Sequence, residues 1–87
     1  MQDENIVGII REILKKKSYG VRMPDSFKDG ESLFLHGIVD SFGLFEFIKT
    51  IQSAFGMHIE NREIHPRNFE SIEKIVKFIE TKSQTIA

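Results

Sequence analysis

Apolar residues recur at the spacing of an amphipathic helix in three segments of the chain, one near each end and one in the middle. Spacings of three and four residues place side chains on one face of a helix, and such a face is buried in a globular protein. The pattern therefore predicts three main helices, the second of them over residues 41–55. The repeating positions are Ile6, Ile9, Ile10, Ile13 and Leu14, then Leu44, Phe47, Ile48, Ile51 and Phe55, and finally Ile72, Ile75, Val76 and Ile79.

The connection between the first two predicted helices is long and irregular. No hydrophobic period holds from Val21 to Gly37, and Pro24 and Gly30 lie within this stretch. Proline and glycine among polar residues mark loops, and a loop of this length inside a compact domain is usually functional. Four apolar residues are expected to pin it onto the helices, namely Phe27, Leu33, Phe34 and Ile38.

The connection after the second helix is predicted to contain one short helical turn. Gly56 suits a left-handed helix cap, and residues 61–64 have room for a single turn that Pro66 closes. The last helix is expected to begin at Asn68 or Ser71, because both side chains cap helix N-termini well.

These elements predict a single all-α domain. A chain of 87 residues is long enough for one domain. We therefore expect a small antiparallel bundle of three main helices plus one short helix, with a long loop between the first and second helices. The domain would comprise residues 1–87, ordered over about residues 4–82, with residues 83–87 as a tail.

Composition excludes several kinds of function. Twelve basic and thirteen acidic residues give a net charge of −1, which offers no electrostatic basis for binding nucleic acid. No apolar run approaches the roughly 20 residues of a membrane span, and the N-terminus lacks the basic start of a signal peptide. We therefore expect a cytoplasmic protein without membrane insertion. The chain has no cysteine, so disulfides and thiolate metal sites are excluded, and thioester chemistry would need a thiol from a prosthetic group.

Ser41 is the residue whose position suggests the clearest chemistry. It lies where the polar loop meets the second predicted helix, directly after the sequence Gly-Ile-Val-Asp of residues 37–40. A hydroxyl at a helix start is exposed, faces unpaired backbone N–H groups and lies at the positive end of the helix dipole. These conditions favour a covalently attached phosphate. Asp40 and Ser41 taken alone indicate only a helix cap, since both residue types cap well.

The longer sequence resembles the attachment site of acyl carrier proteins. The segment Phe-Glu-Ser-Ile at residues 69–72 is also similar to the entrance of that family's last helix, and the loop lengths agree over nearly the whole chain. The matching positions around the serine are Gly37, Ile38, Val39, Asp40, Ser41, Glu46, Phe55, Gly56 and Ile59.

The resemblance implies an acyl carrier protein, which is not itself an enzyme. A phosphopantetheinyl transferase would move 4'-phosphopantetheine from coenzyme A onto the hydroxyl of Ser41. Asp40 would support this transfer by helping to place the metal of the transferase complex and by orienting the serine. The chain is not expected to hold a metal of its own.

The resemblance also implies what the modified serine does. The thiol of the arm would hold an acyl intermediate as a thioester and present it to partner enzymes in lipid or specialised-metabolite biosynthesis. The partners would be the transferase, an activating ligase and acyl-processing enzymes. Oligomeric state is open, with a monomer as the default.

The exposed face of the second helix is the expected docking surface for these partners. Once the inward apolar face is fixed, Phe42, Phe45, Glu46 and Lys49 point outward or to its margin. Two phenylalanines beside the serine are costly to leave in water unless a partner covers them. The alternative for Phe42 is that it folds back over the loop.

The sequence departs from carriers of bulk fatty-acid synthesis along this helix. Gly43, Lys49, Gln52 and Ser53 stand where acidic residues are frequent in the family, and only Glu46 remains. Since charge pairing mainly sets encounter rate and partner choice, we expect a specialised carrier with dedicated partners. Gly43 would also allow the backbone of a partner to approach closely.

Two other functions stay open from the sequence. An aminoacyl or peptidyl carrier would share the fold and the serine, and a non-enzymatic helical adaptor would bind a partner through Phe42 and Phe45. His36, His58 and His65 do not favour a metal site or a hydrolase, because no two of them lie on one helical turn and a G-x-S-x-G elbow is absent.

Overall fold

The chain folds as a small bundle of helices. The computed structural model describes the backbone of residues 3–84 and the side chains of residues 5–83, and it contains no strand within that range. The small all-α bundle with a long first connection is therefore confirmed. The helices are α1 (Asp3–Lys16), α2 (Gly43–Phe55), α3 (Pro66–Phe69) and α4 (Ile72–Gln84), with one 3-10 turn at Asn61–Glu63.

The apolar faces of the three long helices meet in one core, in which α1 packs against both α4 and α2. Ile9 is an exception to the predicted faces, because 37% of it is exposed at the edge of α1. Ile13, Leu44 and Phe55 are half-buried against the core. The fully enclosed side chains from these helices include Ile6, Ile10, Phe47, Ile51, Ile72, Ile75 and Ile79.

The long connection is fixed to the helices by apolar and polar contacts. Phe27, Leu33 and Ile38 are buried, as predicted, and Phe34 is half-buried. The N–H of Leu33 donates to the carbonyl of Glu70 at 2.7 Å, which joins the loop to the chain just before α4. The loop therefore has a defined course although it contains no regular element.

Two polar side chains fix another part of this loop onto α1. The guanidinium of Arg11 donates to the carboxylate of Asp29 at 2.6 Å and to the carbonyl of Phe27 at 2.8 Å. Because arginine offers several donors in a rigid fork, one side chain can hold two points of the loop.

The chain after α2 has the helix cap and the single turn that the sequence predicts, and it also has one short helix that was not predicted. Gly56 has the left-handed conformation (φ 59°, ψ 40°) expected of a helix cap, and the single turn at Asn61–Glu63 lies where it was predicted. Pro66, expected only to close that turn, also begins α3. Proline suits a first helical position because its fixed φ is already helical and its missing N–H would have no partner there.

Of the two predicted starts of the last helix, Ser71 is correct. Its hydroxyl accepts the N–H of Lys74 at 3.1 Å and its carbonyl accepts the N–H of Ile75 at 3.0 Å. The side chain of Asn68 instead donates to the carbonyl of Glu63.

The other end of α4 lies further along the chain than expected. The helix continues to Gln84, so residues 83 and 84 are helical and their assignment to a tail is wrong. Residues 85–87 lie outside the described residues. Over the described helices, none combines the length and the apolar character that a bilayer crossing requires.

The buried ring of Phe47 gives a direct test of the core. It is fully enclosed, and its centroid lies 5.1 Å from that of Tyr19. We expect Phe47→Ala to lower the free energy of unfolding by about 3–5 kcal/mol, because it leaves a cavity, as measured by urea denaturation. Phe45→Ala, on the exposed side of the same helix, is the control and should change it by about 0.5 kcal/mol or less. Equal losses in the two variants would contradict the assigned helix face.

The ion pair of Glu63 with Lys82 predicts a pH dependence of stability. The Lys82 ammonium lies 2.8 Å and 3.0 Å from the two carboxylate oxygens of Glu63. This hydrogen bond, followed by one from the Glu60 N–H, lowers the pKa of Glu63 below its ordinary value of 4.5. A carboxyl whose pKa is lowered on folding stabilises the protein above its unfolded pKa, and that stability is lost as the pH falls through the folded value.

Glu63→Gln removes the charge but keeps an oxygen for the Glu60 N–H. We expect the variant to be less stable than the wild type by about 1 kcal/mol at pH 7. The difference should shrink as the pH falls below 4.5. Urea denaturation at several pH values measures it, and a difference that does not change with pH would contradict the role of the charge.

Candidate functional site

Asp40 fixes the beginning of α2. Its side-chain Oδ1 accepts the N–H of Gly43 at 2.7 Å, and its carbonyl accepts the N–H of Leu44 at 2.9 Å. This is the hydrogen-bond pattern of an N-cap. The regular helix begins at Gly43, two residues later than predicted, because Ser41 and Phe42 lie in the turn that Asp40 closes.

Ser41 is exposed in this turn. Its hydroxyl forms no hydrogen bond with any other residue that the structure describes. The hydroxyl is therefore open to a reagent from solvent, and the backbone that carries it is held in place by the cap next to it. Asp40 is also exposed, and only its Oδ1 is used by the cap.

A short segment that follows α1, residues 19–21, lies against the chain just before Ser41. We call it the strap. The carbonyl of Tyr19 accepts the N–H of Asp40 at 3.0 Å, and the N–H of Val21 donates to the carbonyl of Gly37 at 2.6 Å. These two hydrogen bonds hold both ends of the segment that leads into Ser41.

The side chain of Tyr19 fixes the strap to α2 itself. The ring is buried against Phe47, and the hydroxyl donates to Oγ1 of Thr50 at 3.1 Å. The sequence did not identify Tyr19 as part of the site, because a single tyrosine after a helix carries no periodic or motif signal.

Gly43 and Gly20 make the close approach of the strap possible. A Cβ at Gly43 would overlap the carbonyl of Tyr19, and a Cβ at Gly20 would overlap the carbonyl of Gly37. The expectation that Gly43 leaves room for the backbone of a partner is therefore wrong, since the chain's own strap occupies that space. The same overlap excludes any larger side chain at position 43 unless the strap moves.

The residues expected to dock partners form one exposed stripe. Phe42 has helical dihedral angles (φ −79°, ψ −38°), so Phe42, Phe45, Glu46 and Lys49 follow helical spacing on one face. Phe42 is 91% exposed and Phe45 is 60% exposed. The alternative in which Phe42 folds back over the loop is wrong, whereas the docking role of the stripe stays a prediction.

The charge of Glu46 is met by two cations of the same chain. Its carboxylate lies 3.2 Å from the ammonium of Lys17 and 3.7 Å from that of Lys49. The hydrogen bond and the charge of Lys17, followed by the charge of Lys49, lower the pKa of Glu46. The carboxylate is therefore ionised at neutral pH. Sequence reasoning missed Lys17 as a site residue, because a lysine at a helix end is explained by the helix dipole alone.

An apolar groove opens beside Ser41. It has a volume of about 430 Å³. Phe34 comes from the long connection and Pro66 from α3, so the groove joins parts of the chain whose proximity the sequence pattern does not indicate. Its lining residues are Phe34, Val39, Asp40, Ser41, Leu44 and Pro66.

The three histidines lie in separate environments. His36 is 3.5 Å from the carboxylate of Glu31, and His65 accepts the N–H of Arg67 as the cap of α3. Among the described residues, no group of three or more His, Asp or Glu side chains gathers where it could hold a metal ion.

A comparison with protein-family models finds no matching family, and a comparison with curated proteins finds no significant relative. The functional assignment therefore depends on the residues around Ser41.

The close approach of the strap to Gly43 predicts that a methyl group added at this position lowers the stability of the fold. We expect Gly43→Ala to lower the free energy of unfolding by about 1–3 kcal/mol, because the new Cβ would displace the backbone of Tyr19. Gly8→Ala is the matched control, since a Cβ at this helical position meets nothing within 4 Å. It should stabilise α1 by up to about 1 kcal/mol. Denaturant unfolding measures both, and a neutral Gly43→Ala would contradict the close approach.

Proposed function

We propose that this chain is an acyl carrier protein whose Ser41 carries 4'-phosphopantetheine. The observation that supports it most directly is the exposed Ser41 hydroxyl, without a hydrogen-bond partner among the described residues, in the turn directly before α2. The resemblance of residues 37–41 to the attachment sequence of acyl carrier proteins adds the identity of the modifying group.

The local structure suits a phosphodiester at this position. The oxygen of Ser41 would form a bond to the phosphorus atom nearest the pantetheine part of coenzyme A. Adenosine 3',5'-bisphosphate would leave, and the hydroxyl proton would pass to a base of the transferase. The resulting negative charge lies at the start of a helix, where unpaired N–H groups and the helix dipole favour an anion.

Asp40 would serve this transfer in two ways. Its Oδ1 holds the N–H of Gly43 and so keeps Ser41 in the exposed turn. The rest of its exposed carboxylate is available to the magnesium ion of the transferase complex, for which carboxylate oxygen is a suitable ligand.

The chain supplies a place for cargo but no thiol. It has no cysteine, and the bound arm would supply the thiol on which an acyl group is held as a thioester. The groove beside Ser41 is lined largely by Phe34, Val39, Leu44 and Pro66. Since apolar surfaces favour apolar ligands, this lining supports an acyl cargo over an aminoacyl one.

The partners of such a carrier would be a phosphopantetheinyl transferase, an acyl-activating ligase and acyl-processing enzymes. We place the protein in the cytoplasm, where coenzyme A is available for loading. The single acidic residue of α2, Glu46, supports a specialised pathway over bulk fatty-acid synthesis.

Intact-mass spectrometry tests the proposal. After incubation with coenzyme A, magnesium and a broad-specificity phosphopantetheinyl transferase, we expect the wild type to gain the mass of one phosphopantetheine. Ser41→Ala should gain nothing, and Ser53→Ala, which removes another exposed hydroxyl from α2, should be modified as the wild type is.

Circular dichroism would verify that the Ser41→Ala chain is folded. An unmodified wild type, in a reaction that loads a known carrier in parallel, would contradict the proposal and favour a helical adaptor. Modification of Ser41→Ala would assign the arm to another hydroxyl.

A further inference from the structure

The surface next to Ser41 is unusually apolar for an exposed helix start. Phe42, which directly precedes α2 with helical dihedral angles, and Phe45 lie three residues apart on one face, and most of each side chain is in contact with solvent. The other large apolar residues of this helix are buried or half-buried. Adjacent exposed aromatic side chains are typical of a surface that a partner covers.

The charges around the two phenylalanines do not form an acidic surface. Glu46 is the only acidic residue of α2, and its two carboxylate oxygens face Lys17 and Lys49. Both lysine side chains are well exposed, at 59% and 73%. The carboxylate of Asp40, which precedes Ser41 in the chain, accepts a backbone N–H of the helix start.

A basic partner surface would therefore gain little binding free energy from the exposed face of α2. To pair with Glu46, its cations would have to replace Lys17 and Lys49, and they would also approach two like charges. Exposed ion pairs contribute little to affinity even when they form freely. Burial of two phenylalanines, in contrast, removes large apolar areas from water and is largely independent of salt.

Resting on the proposed function, we propose that enzymes acting on Ser41 bind this chain by receiving Phe42 and Phe45 in an apolar recess that lacks a basic border. Glu46 then serves within the chain, joining Lys17 to α2, and does not steer partners. The exposed lysines are compatible with an uncharged border of such a recess and oppose the basic patches that fit acidic carriers.

Loading kinetics with a broad-specificity phosphopantetheinyl transferase test this inference. Initial rates of phosphopantetheine transfer would be measured against carrier concentration at low and at high salt. We expect Phe42→Ser and Phe45→Ser to raise KM at least tenfold with little change in kcat. Ile9→Ser, which changes a partly exposed apolar residue on α1, is the control and should leave KM unchanged.

The charges require a separate set of variants. We expect Glu46→Gln, the double variant K17Q/K49Q and the change in salt each to alter KM less than twofold. A several-fold rise of KM in Glu46→Gln, or a several-fold fall in K17Q/K49Q at low salt, would overturn the inference in favour of acidic steering. Unchanged KM in Phe42→Ser and Phe45→Ser would also overturn it.

Sedimentation of the unmodified chain tests whether a second copy of the chain, instead of an enzyme, covers Phe42 and Phe45. We expect a monomer. A wild-type dimer that Phe42→Ser converts to a monomer would assign the apolar surface to a second copy and overturn the inference. Absence of any transfer to the wild type would instead contradict the proposed function, so the two failures are distinguishable.

Discussion

The contact between the carbonyl of Tyr19 and the first turn of α2 is the constraint on which the site depends. The strap bonds to Asp40, excludes any side chain at Gly43 and anchors its tyrosine ring in the core. Asp40 in turn caps the helix that presents Ser41. An exposed hydroxyl in a loop would ordinarily sample many positions. Here backbone hydrogen bonds on one side and a helix on the other limit the positions that the backbone carrying it can take.

The electrostatic arrangement depends on the same contact. The chain turns sharply after α1 to form the strap, and this turn carries Lys17 towards α2, where its ammonium meets Glu46 and lies 5.9 Å from the centroid of the Tyr19 ring. The proximity of a cation to an aromatic face adds to the ion pair. The same part of the chain, from the end of α1 through the strap, therefore determines both the backbone course beside Ser41 and the net charge of the exposed stripe.

The sequence predicted the parts of this fold that repeat locally. The three long helices follow from regular apolar spacing, and Gly56 and Ser71 were identified because caps have strong residue preferences. The helix α3 was missed, since four residues are too few to show a period. The exposure of Ser41 was predicted because a residue at a helix start faces solvent in most arrangements of a small bundle.

The strap and the groove could not be predicted in the same way. Both bring together residues that are distant along the chain, such as Tyr19 with Gly43 and Phe34 with Pro66. Contacts of this kind depend on how the helices pack and leave no pattern in a local window. The glycine at position 43 was noticed, but only the structure identifies the carbonyl that requires it.

The ion pair between Lys17 and Glu46 has a consequence for how the charge around Ser41 is read from the sequence. The pair joins residues that are 29 positions apart, so the net charge beside Ser41 is decided partly by a residue directly after α1. A reading of the residues next to Ser41 alone would count Glu46 as an available anion. The fold instead brings a cation from the end of α1 onto that carboxylate, so the charge presented beside the serine follows from the tertiary contact and not from the local sequence.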